Sequence, residues 1–280
     1  MGKATMNEAV QLADAQGTEK KLQALRALLQ AYGRVAVAYS GGVDSAFLAA
    51  MAHDTLGDAA RLVLADSPSL PRAELHEAVA LAEARGWALT VVQTDEFENE
   101  DYLKNDGTRC YHCKDALFSR MDSFAQAEGI GVMAYGEIAD DKLDPTRYGA
   151  KAAKEHRVVA PLAEVGLYKQ EIRALSRERG LPTSDKASFA CLSSRFPVGT
   201  RVEREAVAQV EAAEEVLKAH GFHQYRARHH GDLVRIEVGA DEVSRLFAPA
   251  LHERVLSGMR AAGYRHVTVD MAGYRTGSTA

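Results

Sequence analysis

Arg34-Val35-Ala36-Val37-Ala38, then Tyr39-Ser40-Gly41-Gly42-Val43-Asp44-Ser45, then Ala46-Phe47-Leu48-Ala49-Ala50-Met51-Ala52, is the stretch on which the fold turns. Small and β-branched residues open it, in a run short enough for a buried strand. Good helix formers close it without a breaker. A strand, a glycine-rich turn and a helix start together make an anion site. The first backbone N–H groups of a helix lack partners in the chain, and its dipole favours negative charge there. Gly41 and Gly42 let a phosphate approach the backbone, and Ser40 and Ser45 can donate hydroxyls. Asp44 beside a polyanion makes sense as a helix cap, a magnesium ligand, or both. The competing reading is a plain serine–glycine turn. The lysine of the G-x-x-x-x-G-K-[ST] loop is missing, so that motif does not apply.

Outward from the loop, Leu22, Leu25, Leu28 and Leu29 stand at helical spacing in 20–32, behind a polar tail over 1–19. After it the chain alternates: strand 60–65, helix 71–86 with Leu75, Val79 and Ala82 on one face, strand 87–94, then an acidic irregular stretch over 95–105. Next come a helix with Leu117, Phe118 and Met121, strand 130–135, strand 157–159 and helix 168–179. Repeated βαβ units imply an α/β fold, a doubly wound parallel sheet with helices on both faces. Ligands bind at the carboxyl ends of such strands, so the loops after Ala38, Ala65 and Thr94 should converge. Residues 20–185 form this domain, and a Ser-, Pro- and Gly-containing junction over 186–201 follows. A smaller C-terminal α+β domain occupies 202–280. It has a helix over 204–220, strands 225–230 and 233–238 joined by Gly231-Asp232, a helix over 250–262 and a last strand over 265–271.

Bulk properties set outer bounds. At 280 residues the chain can bury a full core and hold two domains. Hydrophobic residues at 46% and charged residues at 26% describe an ordinary soluble globule. A net charge of −5 argues against a large nonspecific nucleic-acid surface. No run approaches the ~18 apolar residues of a membrane span, and the start lacks the apolar core of an export signal, so a cytoplasmic setting is expected. Three cysteines leave one over from any pairing, which favours metal or redox chemistry over a structural bridge.

Those cysteines are Cys110 and Cys113 in Thr108-Arg109-Cys110-Tyr111-His112-Cys113-Lys114, and Cys191 in Ala190-Cys191-Leu192-Ser193-Ser194-Arg195. All three have polar or cationic neighbours, which favour thiolates. Spacing alone leaves three readings open: an iron–sulfur cluster with one iron not held by protein, a Cys3His zinc site using His112 or a distant histidine, or a redox pair with a persulfide on Cys191. Trp87 reads as core packing, and His229-His230 as part of the hairpin edge.

Ser40-Gly-Gly-Val-Asp-Ser45 resembles the PP-loop of the ATP pyrophosphatases, or adenine nucleotide alpha hydrolase-like enzymes. What this implies is cleavage of ATP between the α- and β-phosphates and adenylation of a second substrate. With Arg109-Cys-Tyr-His-Cys-Lys114, Cys191-Leu-Ser-Ser-Arg-Phe-Pro197, Val234-Arg-Ile-Glu-Val238 and Arg265-His-Val-Thr-Val-Asp270, the chain resembles the LarE-type ATP-dependent sulfurtransferases from Ser40 to Gly277. The resemblance implies adenylation of the carboxylates of pyridinium-3,5-biscarboxylic acid mononucleotide and displacement of AMP by sulfur. That chemistry makes the nickel-pincer nucleotide cofactor of lactate racemase. One branch of the family sacrifices a cysteine that aligns with Ala190. This chain is similar to the other branch, in which Cys110, Cys113 and Cys191 would hold a [4Fe-4S] cluster carrying a labile sulfide.

By the same resemblance, Ser40, Gly41, Gly42, Asp44, Ser45, Ser67 and Gly136 would meet ATP and Mg2+. Ser194, Arg195, Glu214, Arg226 and Arg228 would lie near the substrate phosphate, with solvated charges as the competing reading for Glu214, Arg226 and Arg228. Asp140 or Asp141 would hold magnesium or cap the next helix. A sulfide or persulfide donor is implied, and a homohexamer; no nucleic acid and no membrane are expected. The competing functions are a cluster-dependent tRNA thiolase, another adenylating PP-loop ligase and a non-enzymatic adenine-nucleotide sensor.

Overall fold

The computed structural model describes the backbone of residues 6–143, 149–187 and 190–275, and side chains within 17–141, 149–187 and 190–275. In chain order the elements begin with α1 (Met6–Tyr32), β1 (Val35–Ala38), α2 (Val43–Leu56), β2 (Ala60–Asp66), α3 (Arg72–Ala84), β3 (Ala88–Gln93), α4 (Glu100–Leu103) and α5 (Arg109–Glu128). They continue with β4 (Val132–Ala134), α6 (Gly149–Glu155), α7 (Pro161–Glu164), α8 (Lys169–Glu178), α9 (Arg204–Ala219), β5 (Tyr225–His230), β6 (Leu233–Val238), α10 (Pro249–Ala261) and β7 (His266–Val269). Helix α1 thus starts well before residue 20. Among the described residues no helix is long and apolar enough to cross a membrane.

The chain divides into two compact units. The first holds Met1–Asp66, Arg72–Thr94 and Cys113–Phe189, the second Ser67–Pro71, Asp95–His112 and Ala190–Ala280. The first unit is built on a parallel sheet in the order β3-β2-β1-β4. Every residue of β1 is buried, as expected of a strand covered on both faces. Trp87 packs edge-on against Tyr39, with ring centroids 5.9 Å apart, so it belongs to this core. Strand order reverses between β1 and β4, and such a switch point is where ligands of open α/β sheets bind. The expected strand over 157–159 is not formed. Arg157 adopts a positive φ of 55°, which turns the chain, and only Val159 bridges to Ala134.

The second unit carries a three-stranded sheet, β5-β6-β7, antiparallel on one side and parallel on the other. Its core gathers Leu217, Phe222, Val234, Ile236, Met259 and Tyr264 beneath α9 and α10. Segments 67–71 and 95–112, which the sequence places in the first domain, belong to this unit. Backbone hydrogen bonds explain it: Gly199 N–H donates to Asn105 O at 2.8 Å, Val202 N–H to Leu103 O at 2.9 Å, and Leu192 N–H to Ser69 O at 2.8 Å.

Candidate active site

In the first unit, the loop after β1 is closed on itself. The Ser40 N–H donates to Ser45 Oγ at 3.1 Å, the two serine hydroxyls lie 3.0 Å apart, and Ser45 Oγ donates to Gly42 O at 3.2 Å. Gly41 has φ of +70°, and a Cβ there would stand 2.6 Å from Ala78 Cβ on α3. No other residue fits both demands. Gly136, just past β4, comes so close to the start of α2 that its Cβ would lie 3.0 Å from Ser45 N. The two loops flanking the switch point therefore touch at the phosphate-loop backbone.

Asp44 does not cap α2; Gly42 is the N-cap, and no side chain completes the cap. Both Asp44 oxygens instead receive Lys169 Nζ, at 2.9 and 2.7 Å. Lys169 is the first residue of α8, and its own N–H donates to Asp140 Oδ2 at 2.8 Å. Asp141 Oδ2 accepts the Ile138 N–H at 3.3 Å. Both aspartates thus cap backbone. Lys169 is the residue that sequence reasoning missed, since 125 positions separate it from Asp44 and no spacing rule connects them.

In the second unit, Cys110 and Cys191 share one cation. Arg109 donates through Nη1 to Asn105 Oδ1 at 2.5 Å and to Ser193 O at 2.7 Å. Burial lowers its pKa, but the nearby Cys191 and Cys110 sulfurs and Tyr102 outweigh this and raise it, with a further hydrogen bond to Cys110. Tyr102 Oη lies 2.8 Å from Ser193 Oγ, a second tie on the Cys191 segment. None of the three cysteines is in a disulfide; Cys110 is exposed, Cys113 and Cys191 half-buried. Cys113 lies one turn beyond Cys110 on α5, which brings the two to one side of that helix. His112 pairs instead with Asn99, at 3.5 Å. Among the described residues no three His, Cys, Asp or Glu side chains, the three cysteines included, are grouped so as to hold a metal ion. The donor chemistry, three thiols outside any disulfide with a guanidinium on two of them, suits a thiolate-held cluster.

Ser67 is buried, with its hydroxyl on Glu96 Oε1 and 2.9 Å from Ser69 Oγ. Glu96, a second residue missed by the sequence reading, is 1% exposed, and its Oε2 has no hydrogen-bond partner among the described residues.

The solvated-charge readings of Glu214 and Arg228 do not hold. Arg195 is 0% exposed and meets Glu214 in a two-pronged pair, Nε to Oε1 and Nη2 to Oε2, both 2.8 Å. Its Nη1 donates to Ala190 O, Cys191 O and Ser194 Oγ at 2.5, 2.9 and 2.9 Å. Glu214 also accepts the Ala227 N–H of β5 at 3.0 Å. The pair thus pins the Cys191 segment to α9 and β5. Arg228 is likewise buried, 2.8 Å from Glu237, and reaches Ser194 O at 3.1 Å. Arg228 stands opposite Arg235 on β6 and reaches diagonally to Glu237, whose backbone pairs with Arg226. Arg226 is different. It donates to Tyr225 O at 2.6 Å and lies over the Tyr274 ring at 5.0 Å, with no carboxylate hydrogen-bonded to it among the described residues. Burial and the Arg195 charge lower its pKa, against the opposing pull of Glu214. His229 is no hairpin-edge group: it is buried, 4.8 Å from the Phe196 ring centroid, with Nδ1 3.1 Å from Tyr264 Oη.

No protein-family model matches the chain. Among known proteins it is similar to slr1717 of Synechocystis sp., an uncharacterized protein, with 38% identity over 92% of this chain and 96% of that one. It is also similar to the pyridinium-3,5-bisthiocarboxylic acid mononucleotide synthase of Lactiplantibacillus plantarum, with 35% identity over 92% of each chain. A more distant likeness, 28% identity over 74% of this chain and 44% of the other, links it to the glutamine-hydrolyzing GMP synthase of Chlamydia muridarum.

Proposed function

The chain belongs to the LarE-type sulfurtransferases, the family of the pyridinium-3,5-bisthiocarboxylic acid mononucleotide synthase, and from this we propose that it transfers sulfur to pyridinium-3,5-biscarboxylic acid mononucleotide at the expense of ATP. A substrate carboxylate oxygen attacks the α-phosphorus. The bond from that phosphorus to the bridging oxygen breaks, and pyrophosphate leaves with the electron pair. A sulfur nucleophile then displaces AMP from the acyl carbon to leave a thiocarboxylate, and the second carboxylate follows in the same way.

The chain's own residues divide this work. Ser40, Gly41, Gly42, Ser45 and the first amides of α2 bind the phosphates, with Gly136 closing the loop from behind and Asp44 available to Mg2+. Ser67 contributes to the nucleoside end. Arg226 and Ser194 bind the substrate phosphate. Arg195 and Glu214 act one step back, by holding the backbone of Cys191 and Ser194. Cys110, Cys113 and Cys191 would hold a [4Fe-4S] cluster, which supplies a replaceable sulfide at the iron without a protein ligand. The donor would be free sulfide, already at that oxidation level, or a persulfide together with a thiol reductant that supplies the two electrons needed to release its outer sulfur as sulfide. A homohexamer in the cytoplasm, serving nickel-pincer cofactor synthesis, completes the reading.

One observation carries it: a serine- and glycine-containing loop between β1 and α2 at the switch point of a parallel sheet, in a chain that aligns along 92% of its length with a thiocarboxylate-nucleotide synthase. The test is an anaerobic reaction of the purified protein with ATP, Mg2+, sulfide and the biscarboxylated nucleotide. AMP, pyrophosphate and a product heavier by sulfur-for-oxygen exchange are expected. ATP turnover that is indifferent to the nucleotide, or stimulated by transfer RNA instead, would remove the assignment.

A further inference from the structure

The peptide that follows Cys191 is gripped at both edges. Its carbonyl, Cys191 O, accepts Arg195 Nη1 at 2.9 Å, and its amide, Leu192 N–H, donates to Ser69 O at 2.8 Å. A peptide unit is planar, so bonds on opposite edges fix its rotation, and with it the direction of the Cys191 side chain. Either bond alone would let the plane pivot. The Arg195 edge rests on Glu214. The Ser69 edge rests on a hydrogen-bond chain within the second unit that ends at Glu96. Leu70 N–H returns to Ser67 O at 3.0 Å and closes a turn with Pro68 at its second position. Inside that turn Ser69 N–H donates to Ser67 Oγ at 3.1 Å, and the Ser69 hydroxyl lies 2.9 Å from the same oxygen. The Ser67 hydroxyl donates to Glu96 Oε1. A hydroxyl has a single hydrogen, so the carboxylate that takes it decides which way the lone pairs of Ser67 Oγ face. Glu96 is 1% exposed, and its Oε2 has no hydrogen-bond partner among the described residues. A carboxylate buried in that state opposes folding, so packing alone does not explain it.

We propose that Glu96 is a positioning residue for Cys191. Its carboxylate sets the Ser67 side chain, Ser67 sets the turn over 67–70, and the Ser69 carbonyl sets the peptide between Cys191 and Leu192. The thiol is thereby held in one direction before it meets a sulfur or metal partner. Glu96 touches no reacting atom and acts only through this chain of contacts. A charge-assisted bond at its far end makes the chain stiffer than a neutral acceptor of looser geometry would. The relay gives the buried carboxylate a task that lies 95 positions away in sequence, at Cys191. Its consequence for sulfur transfer rests on the role of Cys191 proposed above.

The test uses the reduced full-length protein under anaerobic conditions and compares wild type with Glu96→Ala, Glu96→Gln and Ser67→Ala. Mass spectrometry follows iodoacetamide labelling of Cys191 and Cys110 separately. Loss of the restraint should speed labelling of Cys191 about 5–10-fold in Glu96→Ala and Ser67→Ala, the range of one hydrogen bond, and leave Cys110 as in wild type. Glu96→Gln keeps an acceptor for the Ser67 hydroxyl and removes the charge, so its Cys191 should label within about 2-fold of wild type. After reconstitution with iron and sulfide, iron should pass to a chelator faster by a similar factor in Glu96→Ala and Ser67→Ala, and at the wild-type rate in Glu96→Gln. Unchanged labelling of Cys191 in Glu96→Ala would overturn the proposal. So would Cys110 labelling that rises in step, the sign of general loosening. A Glu96→Gln variant as fast as Glu96→Ala would also overturn it, since the effect would then be one of charge on the thiol. If Glu96→Ala does not fold by far-UV circular dichroism, Ser67→Ala decides by the same criteria. A wild-type protein that takes up no iron would instead count against the cluster reading, and the labelling comparison would still decide the role of Glu96.

Discussion

Removing either half of the Arg195–Glu214 pair should be among the most damaging single changes in the second unit. Glu214→Leu leaves a guanidinium with 0% exposure and two of its donors unmet. It also strands the Ala227 N–H. Arg195→Met leaves a buried carboxylate and frees the carbonyls of Ala190 and Cys191. Breaking a buried pair in this way costs about 3–5 kcal/mol. The double variant removes both charges together, so the stranded-charge penalty disappears. What remains is the loss of the Arg195 hydrogen bonds to the Cys191 segment and of the acceptor for the Ala227 N–H, about 1–3 kcal/mol together. The double variant should therefore be more stable than either single, where additivity would give roughly 6–10 kcal/mol. Urea unfolding followed by far-UV circular dichroism reads this directly. With slopes of about 3 kcal/mol/M or somewhat more, each single variant should lose roughly 1–2 M in midpoint. Single variants that lose less than about 1 kcal/mol, or a double that sums them, would refute the reasoning that this pair is buried and mutually dependent.

Three further outcomes are expected. Gly41→Ala forces a left-handed alanine and overlaps Ala78, so it should destabilise the protein by about 2–4 kcal/mol in the same urea assay and weaken ATP binding by calorimetry. Burial, together with the His230 charge, holds the pKa of His229 below its ordinary ~6.5 despite Glu203, and burial with Arg235 does the same to His230. Their contribution is therefore complete above pH 6.5 and is lost as pH falls through the depressed folded values; a stability profile from pH 8 to 5 should decline, less steeply in His229→Gln, and a flat wild-type profile would count against it. Anaerobic reconstitution with iron and sulfide should leave Cys191→Ala with little bound iron or visible absorption while AMP binding stays at the wild-type level, and a fully loaded variant would remove Cys191 from the ligand set.

The strand–loop–helix over 35–52, the hairpin at Gly231-Asp232 and the short final strand were legible because each is decided by neighbours in sequence: β-branching, glycine at a turn, helical spacing. The cysteines and the loop over 40–45 stood out as candidates for chemistry for the same reason, residue type at short spacing. Arg195, Arg228, Glu214 and Glu237 were not. A charge on a helix or strand has the same local pattern whether it faces water or an opposing charge, and only the partner decides burial.

The order of elements and the candidate residues for phosphate and sulfur chemistry are read from the chain alone, since both readings depend on residue type and short spacing. The folded chain decided that Gly136 abuts Ser45, that residues 67–71 and 95–112 fold with the C-terminal segment, and that Asp44 faces Lys169 instead of capping its own helix. Such contacts join residues far apart in sequence. They form only when the sheet order and the packing of helices bring them together, and no local propensity encodes that.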